Sequence, residues 1–294
     1  MTTNDLTEQT ITDLVLDTLE QTPEIRTRQV METLVRHLHA FIREVEPSEA
    51  EWMAGIEFLT ATGKKCSDVR QEFILLSDTL GVSTLVDVIN HRLAPGATAN
   101  SVLGPFYSEN RPTVPAGSDI SGGVSGTPMY FAGRILDSQG EPISDAAVDI
   151  WHADGDGGYD VMRPEHRDGE TAMRALLRTD EEGRFRFRSI MPAFYPIPDD
   201  GPVGAMMRAT GRNHIRPAHV HIMIEAPGFQ RLTTMLFVDG DPYIASDPVF
   251  GVRDGLVHPF EPVSAGRMPD GANSDVPYYS VAYDFRLAPA LKPA

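Results

Sequence analysis

Apolar residues recur at three- and four-residue steps early in the chain and at every second position late in it. Val30, Leu34, Leu38, Phe41 and Val45 form a stripe down one side of a helix. Thr22 can cap that helix with Pro23 in its first turn, and Pro47 ends it. Ser48 and Glu51 have capping-box spacing, which predicts a next helix carrying Trp52, Ile56 and Phe58 and stopping at Gly63. Ser67 or Asp68 can cap a third helix over 69–80, closed by Gly81. Ser83 can open a fourth, through Val86 and Ile89 to Leu93, before Pro95.

Between Pro95 and Met129 glycine and proline become frequent and the helical period is lost, so this stretch reads as a connector. The two-residue period beyond it predicts strands at 129–135, 147–151, 184–187, 219–224, 232–238 and 278–287, with Asp137-Ser138-Gln139-Gly140 as a turn. Many short strands separated by Gly/Pro turns favour a sandwich over a parallel sheet. The pattern predicts an α+β chain: a helical part, 1–104, then a mostly antiparallel β-sandwich, 105–294. The long loops 154–171 and 195–215 are where a site would be built.

Composition narrows the setting. With 294 residues, 41% of them hydrophobic, the chain can bury one large core or two smaller ones. No apolar run is long enough to span a bilayer, and the first residues lack the basic and apolar regions of a signal peptide. A single cysteine, Cys66, cannot form an internal disulfide, which fits a reducing cytoplasm. The formal net charge of −17 repels nucleic acid and anionic membrane and excludes both as main partners.

The sharpest chemical feature is Arg216-Pro217-Ala218-His219-Val220-His221. On a strand, residues two apart share a face about 7 Å apart along the chain, so two imidazoles there can grip one ion. His37-Leu38-His39 has the same spacing, but on a helix such residues diverge by roughly 200°. Those two read as ordinary surface or half-buried residues. The strand pair alone does not identify a metal. Zinc would add a third His, a Cys or a carboxylate, ferrous iron a carboxylate, and a plain cross-strand polar pair needs no ion. Tyr159, ending the loop Asp154-Gly155-Asp156-Gly157-Gly158, and Tyr195, among Pro192, Pro196 and Pro198, would by themselves read as packing aromatics.

Read together, these segments resemble the intradiol ring-cleavage dioxygenase family. The resemblance rests on Leu103-Gly104-Pro105-Phe106-Tyr107, on Gly133 through Asp137 with Gly140, Pro142 and Ala147 to Trp151, and on Gly158-Tyr159. It continues through Thr179-Asp180 with Gly183, Tyr195 with Pro198 and Gly201-Pro202, and Gly211-Arg212 followed by 216–221. Within the family the chain is more similar to the hydroxyquinol-cleaving subgroup, through QEFILLSDTLGV at 71–82, YPIPDDGPVG at 195–204, Val249-Phe250-Gly251-Val252 and Leu287-Ala288-Pro289-Ala290.

The resemblance implies Fe(III), one per subunit, held by Tyr159, Tyr195, His219 and His221. It implies opening of hydroxyquinol (benzene-1,2,4-triol) by O2 to 3-hydroxy-cis,cis-muconate (maleylacetate), in aromatic catabolism. Tyr195 would also take up a substrate proton, and Arg216 would stabilise negative charge on the ring. The substrate pocket it implies is Leu75, Asp78, Val102, Leu103, Gly104, Pro105, Phe106, Ile197, Pro198, Arg216 and Val249. These are mostly apolar walls, with Asp78 as acceptor for a third ring hydroxyl. Met235 departs from the glutamine usual in catechol-cleaving members and cannot hydrogen-bond as that residue does. Catechol, chlorocatechol or an alkylated triol are the sibling substrates, and a metal-free sandwich binding module is the reading from another class. The family is usually dimeric through its helical part, where some members hold a phospholipid.

Overall fold

The computed structural model describes residues 6–67, 70–92, 94–162 and 170–290, which fall into two compact units, one up to residue 61 and one from 62 onward. The helices are α1 (Ile11–Asp17), α2 (Ile25–Val45), α3 (Glu49–Lys65), α4 (Glu72–Thr79), α5 (Val82–Asn90) and α6 (Pro202–Ala209). The strands are β1 (Pro128–Asp137), β2 (Ala147–His152), β3 (Arg174–Arg178), β4 (Arg184–Ile190), β5 (Tyr195–Pro196), β6 (Ile215–Arg216) and β7 (His219–Glu225). They continue with β8 (Leu232–Val238), β9 (Val257–His258), β10 (Glu261–Val263), β11 (Gly266–Arg267), β12 (Asn273–Ser274) and β13 (Tyr278–Leu287).

The capping box forms as the spacing predicts. The Ser48 amide and hydroxyl donate to Glu51 Oε2 at 2.8 and 2.7 Å, and the Glu51 amide donates to Ser48 Oγ at 3.3 Å. Gly63 does not stop α3, which runs two residues further. α2 begins after Glu24 rather than Thr22, because the Glu24 carboxylate accepts from the amides of Arg26 and Thr27. Within the first unit the α2 stripe is exposed along its length, with Leu34, Leu38 and Phe41 between 52% and 55% accessible. His37 is exposed on that helix, and half-buried His39 Nδ1 lies 3.0 Å from Thr12 Oγ1, so the two imidazoles serve no common site.

In the second unit, α4 is shorter than the 69–80 expectation, starting at Glu72; Asp68 and Val69 lie outside the described residues, as does Leu93 beyond α5. Two sheets make the sandwich, one in the order β10-β13-β1-β4 and the other β3-β2-β7-β8-β9. Their pairings are antiparallel except for β1 with β13 and β8 with β9. Between them lies the main core. Phe131 and Phe187, in register across β1 and β4, stack at 5.0 Å, and Phe185 and Phe285 face Val148, Ile150, Val220, Ile222 and Leu236 of the other sheet.

The expected in–out alternation of β2 is absent, since every residue from Val148 to His152 is buried. Its outer face is also covered: the Tyr107 ring meets Trp151 edge-on at 5.1 Å, and Arg111 Nε donates to Asp149 Oδ2 at 2.6 Å. β7 is likewise buried through Ile224, so both faces of this sheet centre carry structure. Among the described residues no helix is long and apolar enough to cross a membrane.

Candidate active site

Strand β7 carries His219 and His221 on the same face, as its period requires, with their Nε2 atoms 3.1 Å apart. Each ring is held from behind. The Nδ1 proton of His219 is donated to the Pro217 carbonyl at 2.7 Å, which leaves Nε2 with its lone pair facing the site. His221 stacks on Trp151 of β2, in register opposite it, at 4.6 Å and 10°. Burial, with the Arg216 charge beside it, lowers His219 to about 3; burial together with His219 takes His221 well below its ordinary value. Both are neutral imidazoles at neutral pH, the form that binds a cation.

The two tyrosines arrive from different loops. Tyr159 leads into a short 3-10 turn, Asp160–Met162. Arg174 pins that turn: Nε donates to Asp160 Oδ2 at 3.0 Å, and Nη2 donates to Asp160 Oδ1 at 2.6 Å and to the Phe106 carbonyl at 3.0 Å. Phe106 in turn stacks on the Tyr159 ring at 4.4 Å. Tyr195 sits on β5, paired with Arg216 of β6. Gly157, with φ +84°, lets the two loops meet, because a Cβ there would lie 2.7 Å from that of Tyr195.

The phenolic oxygens are 3.4 Å apart, and lie 3.5 Å (Tyr159) and 3.4 Å (Tyr195) from His219 Nε2. Two donors at right angles around one ion, each about 2.0–2.1 Å from it, lie about 3 Å apart, so these four atoms fit a single cation. Burial pushes the Tyr159 phenol well above its ordinary value, so it ionises here only against a strong positive charge. Gly104, at φ +74°, leaves His221 uncrowded; a Cβ there would sit 3.3 Å from its Cε1. Among the described residues no group of three or more His, Cys, Asp and Glu is arranged for a metal, so neither a zinc set nor a ferrous two-His-one-carboxylate set is present.

Arg216 lies buried beside the four donors. Its Nη1 is 3.5 Å from the Tyr195 hydroxyl and 3.4 Å from His219 Nε2. Burial works against its charge, but Asp247 and the facing Tyr195 and Tyr159 oxygens together outweigh that and hold the guanidinium above its ordinary pKa. Met235, in register opposite His221 on β8, places its Sδ 3.3 Å from Arg216 Nη2.

The expected pocket residues are brought together in part. Asp78, Val102, Leu103 and Gly104 line one cleft of about 710 Å³, with Ser101, Tyr107 and Arg111 among its other walls. Phe106 packs on the tyrosines instead. Leu75, Ile197 and Val249 are buried, Pro198 is half-buried and Pro105 exposed, and none of these is a wall of that cleft. Burial raises the Asp78 carboxyl, opposed by a hydrogen bond with Ser83 and by the Arg216 charge. Asp247, Arg174 and Trp151 hold the site together and were not singled out from the sequence; Asp247 and Arg174 act through partners distant along the chain.

Family comparison decides what this arrangement belongs to. Residues 102–289 match the model described as "Dioxygenase", and residues 24–98 match "Catechol dioxygenase N terminus". The chain belongs to the intradiol ring-cleavage dioxygenase family. It is 46% identical to the 6-chlorohydroxyquinol 1,2-dioxygenase of Cupriavidus pinatubonensis over 97% of this chain and 98% of that one. It is also 46% identical to the hydroxyquinol 1,2-dioxygenase of Nocardioides simplex, over 96% of each. The crystal structure of hydroxyquinol 1,2-dioxygenase from Pseudomonas putida DLL-E4 superposes with a TM-score of 0.90 at 45% identity, covering 96% of this chain and 99% of that one. Intradiol dioxygenases are non-haem iron enzymes acting on aromatic diols or triols with O2.

Proposed function

We propose that this chain opens hydroxyquinol between its adjacent hydroxyls with O2. Both oxygen atoms enter the product, 3-hydroxy-cis,cis-muconate (maleylacetate), in aromatic catabolism. One ferric ion per subunit is held by Tyr159, Tyr195, His219 and His221. The observation that supports this is the convergence of two phenols and two neutral imidazoles, with no carboxylate joining them among the described residues, in a dioxygenase-family chain with hydroxyquinol-cleaving relatives. Hard anionic phenolates favour the ferric state.

Bound there, iron supplies Lewis acidity and a template for the two vicinal oxygens. The protein does the rest. The Tyr195 oxygen, beside Arg216, accepts a substrate hydroxyl proton. Arg216 presents a permanent positive charge to the oxygen and ring carbons where negative charge develops. The stacked Phe106 and Tyr159 form an apolar wall. Asp78, buried on the cleft with Val102, Leu103 and Gly104, accepts from the third ring hydroxyl, the group that catechol lacks. Met235, apolar where catechol-cleaving members carry glutamine, fits the same preference.

The helical part, 1–104, serves dimerisation, and 105–294 form the catalytic sandwich of a cytoplasmic homodimer. The exposed stripe of α2 supports this, as does a groove of about 860 Å³ among Leu38, Phe41, Ile42, Trp52, Ile56 and Leu59 that suits a phospholipid chain. Side-by-side turnover of hydroxyquinol, 6-chlorohydroxyquinol and catechol tests the substrate. Hydroxyquinol should give the highest kcat/KM; catechol as the better substrate would refute the assignment, and a preference for the chlorinated triol would move it to the activity named for the Cupriavidus relative.

A further inference from the structure

The segment 247–251, Asp-Pro-Val-Phe-Gly, runs beside Arg216 and is fastened at several points. Asp247 grips the guanidinium from the side away from the donors: Arg216 Nε donates to Oδ1 at 3.1 Å and Nη2 lies 3.3 Å from Oδ2. Both side chains are buried, at 3% and 2% accessible. The Gly251 amide donates to Asp247 Oδ2 at 2.8 Å, and Ser101 Oγ donates to the Gly251 carbonyl at 2.8 Å. Thr84 Oγ1 donates to the Val249 carbonyl at 3.0 Å, and Arg212 donates to the carbonyls of Thr79 and Pro248 at 2.6 and 3.2 Å.

Phe250 holds φ at +56°, a conformation that costs a bulky L-residue and persists only where surroundings impose it. Gly251 leaves little room for a side chain: a Cβ would lie 3.0 Å from Arg216 Nη2, 3.1 Å from Asp247 Oδ2 and 3.2 Å from Ser101 Oγ, so these groups would have to give by a few tenths of an ångström. A strained and heavily tethered hook, closing on one guanidinium, is more than a surface loop needs.

We propose that Asp247, presented by the 247–251 hook, is the positioning residue for Arg216: it occupies Nε and Nη2, so that Nη1 alone is turned to the reacting ring. This rests on the reading of Arg216 as the group that meets developing negative charge. A guanidinium is useful there only when held within a few tenths of an ångström, and a displacement of about 1 Å can cost on the order of 100-fold in rate. Met235 closes the remaining side, its Sδ accepting only a weak hydrogen bond from Nη2 where an amide oxygen would accept a strong one.

The test uses the iron-loaded full chain with Asp247→Asn, Gly251→Ala, Arg216→Ala and the double variant Asp247→Asn/Arg216→Ala. Readouts are kcat and KM for hydroxyquinol, iron content, and anaerobic affinity for 4-nitrocatechol followed by its visible absorption. Asp247→Asn should lower kcat by about 10- to 100-fold and Gly251→Ala by about 3- to 10-fold, with iron content unchanged and 4-nitrocatechol affinity within about 3-fold of the parent. The double variant should match Arg216→Ala alone, because a positioning residue has nothing left to position. Should Asp247→Asn not accumulate folded, Gly251→Ala decides, since its methyl presses on the Arg216–Asp247 pair without removing either charge. Loss from Asp247→Asn that persists in full without Arg216, or a Gly251→Ala enzyme with the parent kcat, would overturn the positioning role while leaving the function of Arg216 intact. An Arg216→Ala enzyme with undiminished kcat would instead overturn the reading beneath it.

Discussion

Helix α2 and strand β4 both carry a regular apolar pattern, yet only the strand, with its neighbour β1, is covered. Phe131 and Phe187 are fully buried between two sheets, while Leu34, Leu38 and Phe41 stand more than half exposed. The difference shows that periodicity reports which face of an element is apolar and says nothing about what covers it. The sandwich completes its core from its own strands and can then bury a costly polar site beside that core. The helical unit leaves apolar surface open, which suits an element that meets a partner.

The largest contrast between the two regions is expected at the donors. Tyr159→Phe or His219→Ala should reduce iron content and turnover to the background of iron-free protein, while the circular dichroism of the sandwich is retained. Global unfolding would mean that the core depends on the site. Next in size, Phe187→Ala should cost about 3–5 kcal/mol in denaturant unfolding, whereas Leu38→Ala on the open stripe should change monomer stability by less than about 0.5 kcal/mol. Comparable losses at both positions would erase the contrast between the covered and the open apolar faces. Ser48→Ala should cost about 1 kcal/mol by removing the cap of α3; no measurable change would show that the helix start is held by other contacts.

The smallest effect concerns Asp78. Burial raises its folded pKa above the unfolded value, so the native state holds the proton more tightly and stability falls as pH rises through the interval between the two. Asp78→Asn cannot ionise and escapes that loss. Its melting temperature relative to the parent should climb with pH across that interval and then level off. A difference that shrinks with rising pH would contradict the sign of the shift.

Much of the architecture was legible because it is local. The edges of β8 and β13 coincide with the alternating runs, and the Ser48/Glu51 box forms as spaced. α6 was read as loop because Pro202 and Gly204 mask its eight residues; its N-terminal turn is fixed by a distant partner, the Val203 amide donating to buried Glu72 Oε1 at 3.2 Å. The start of α2 went to Thr22 on residue preference, whereas the neighbouring Glu24 side chain does the capping. At the site, the His219/His221 pair follows from strand geometry alone, but the tyrosines needed the family resemblance to be chosen over other aromatics. Asp247 stayed hidden because its meaning lies in an ion pair with a residue 31 positions away, which no local period records.

Resonance Raman spectroscopy of the purified, iron-loaded chain, excited in its visible absorption band, bears most directly on the four-donor site. Two phenolates on ferric iron should make the protein red to burgundy and enhance tyrosinate vibrations, which should weaken in Tyr159→Phe and in Tyr195→Phe. A preparation that stays colourless after ferric loading, or a band indifferent to both substitutions, would contradict the account.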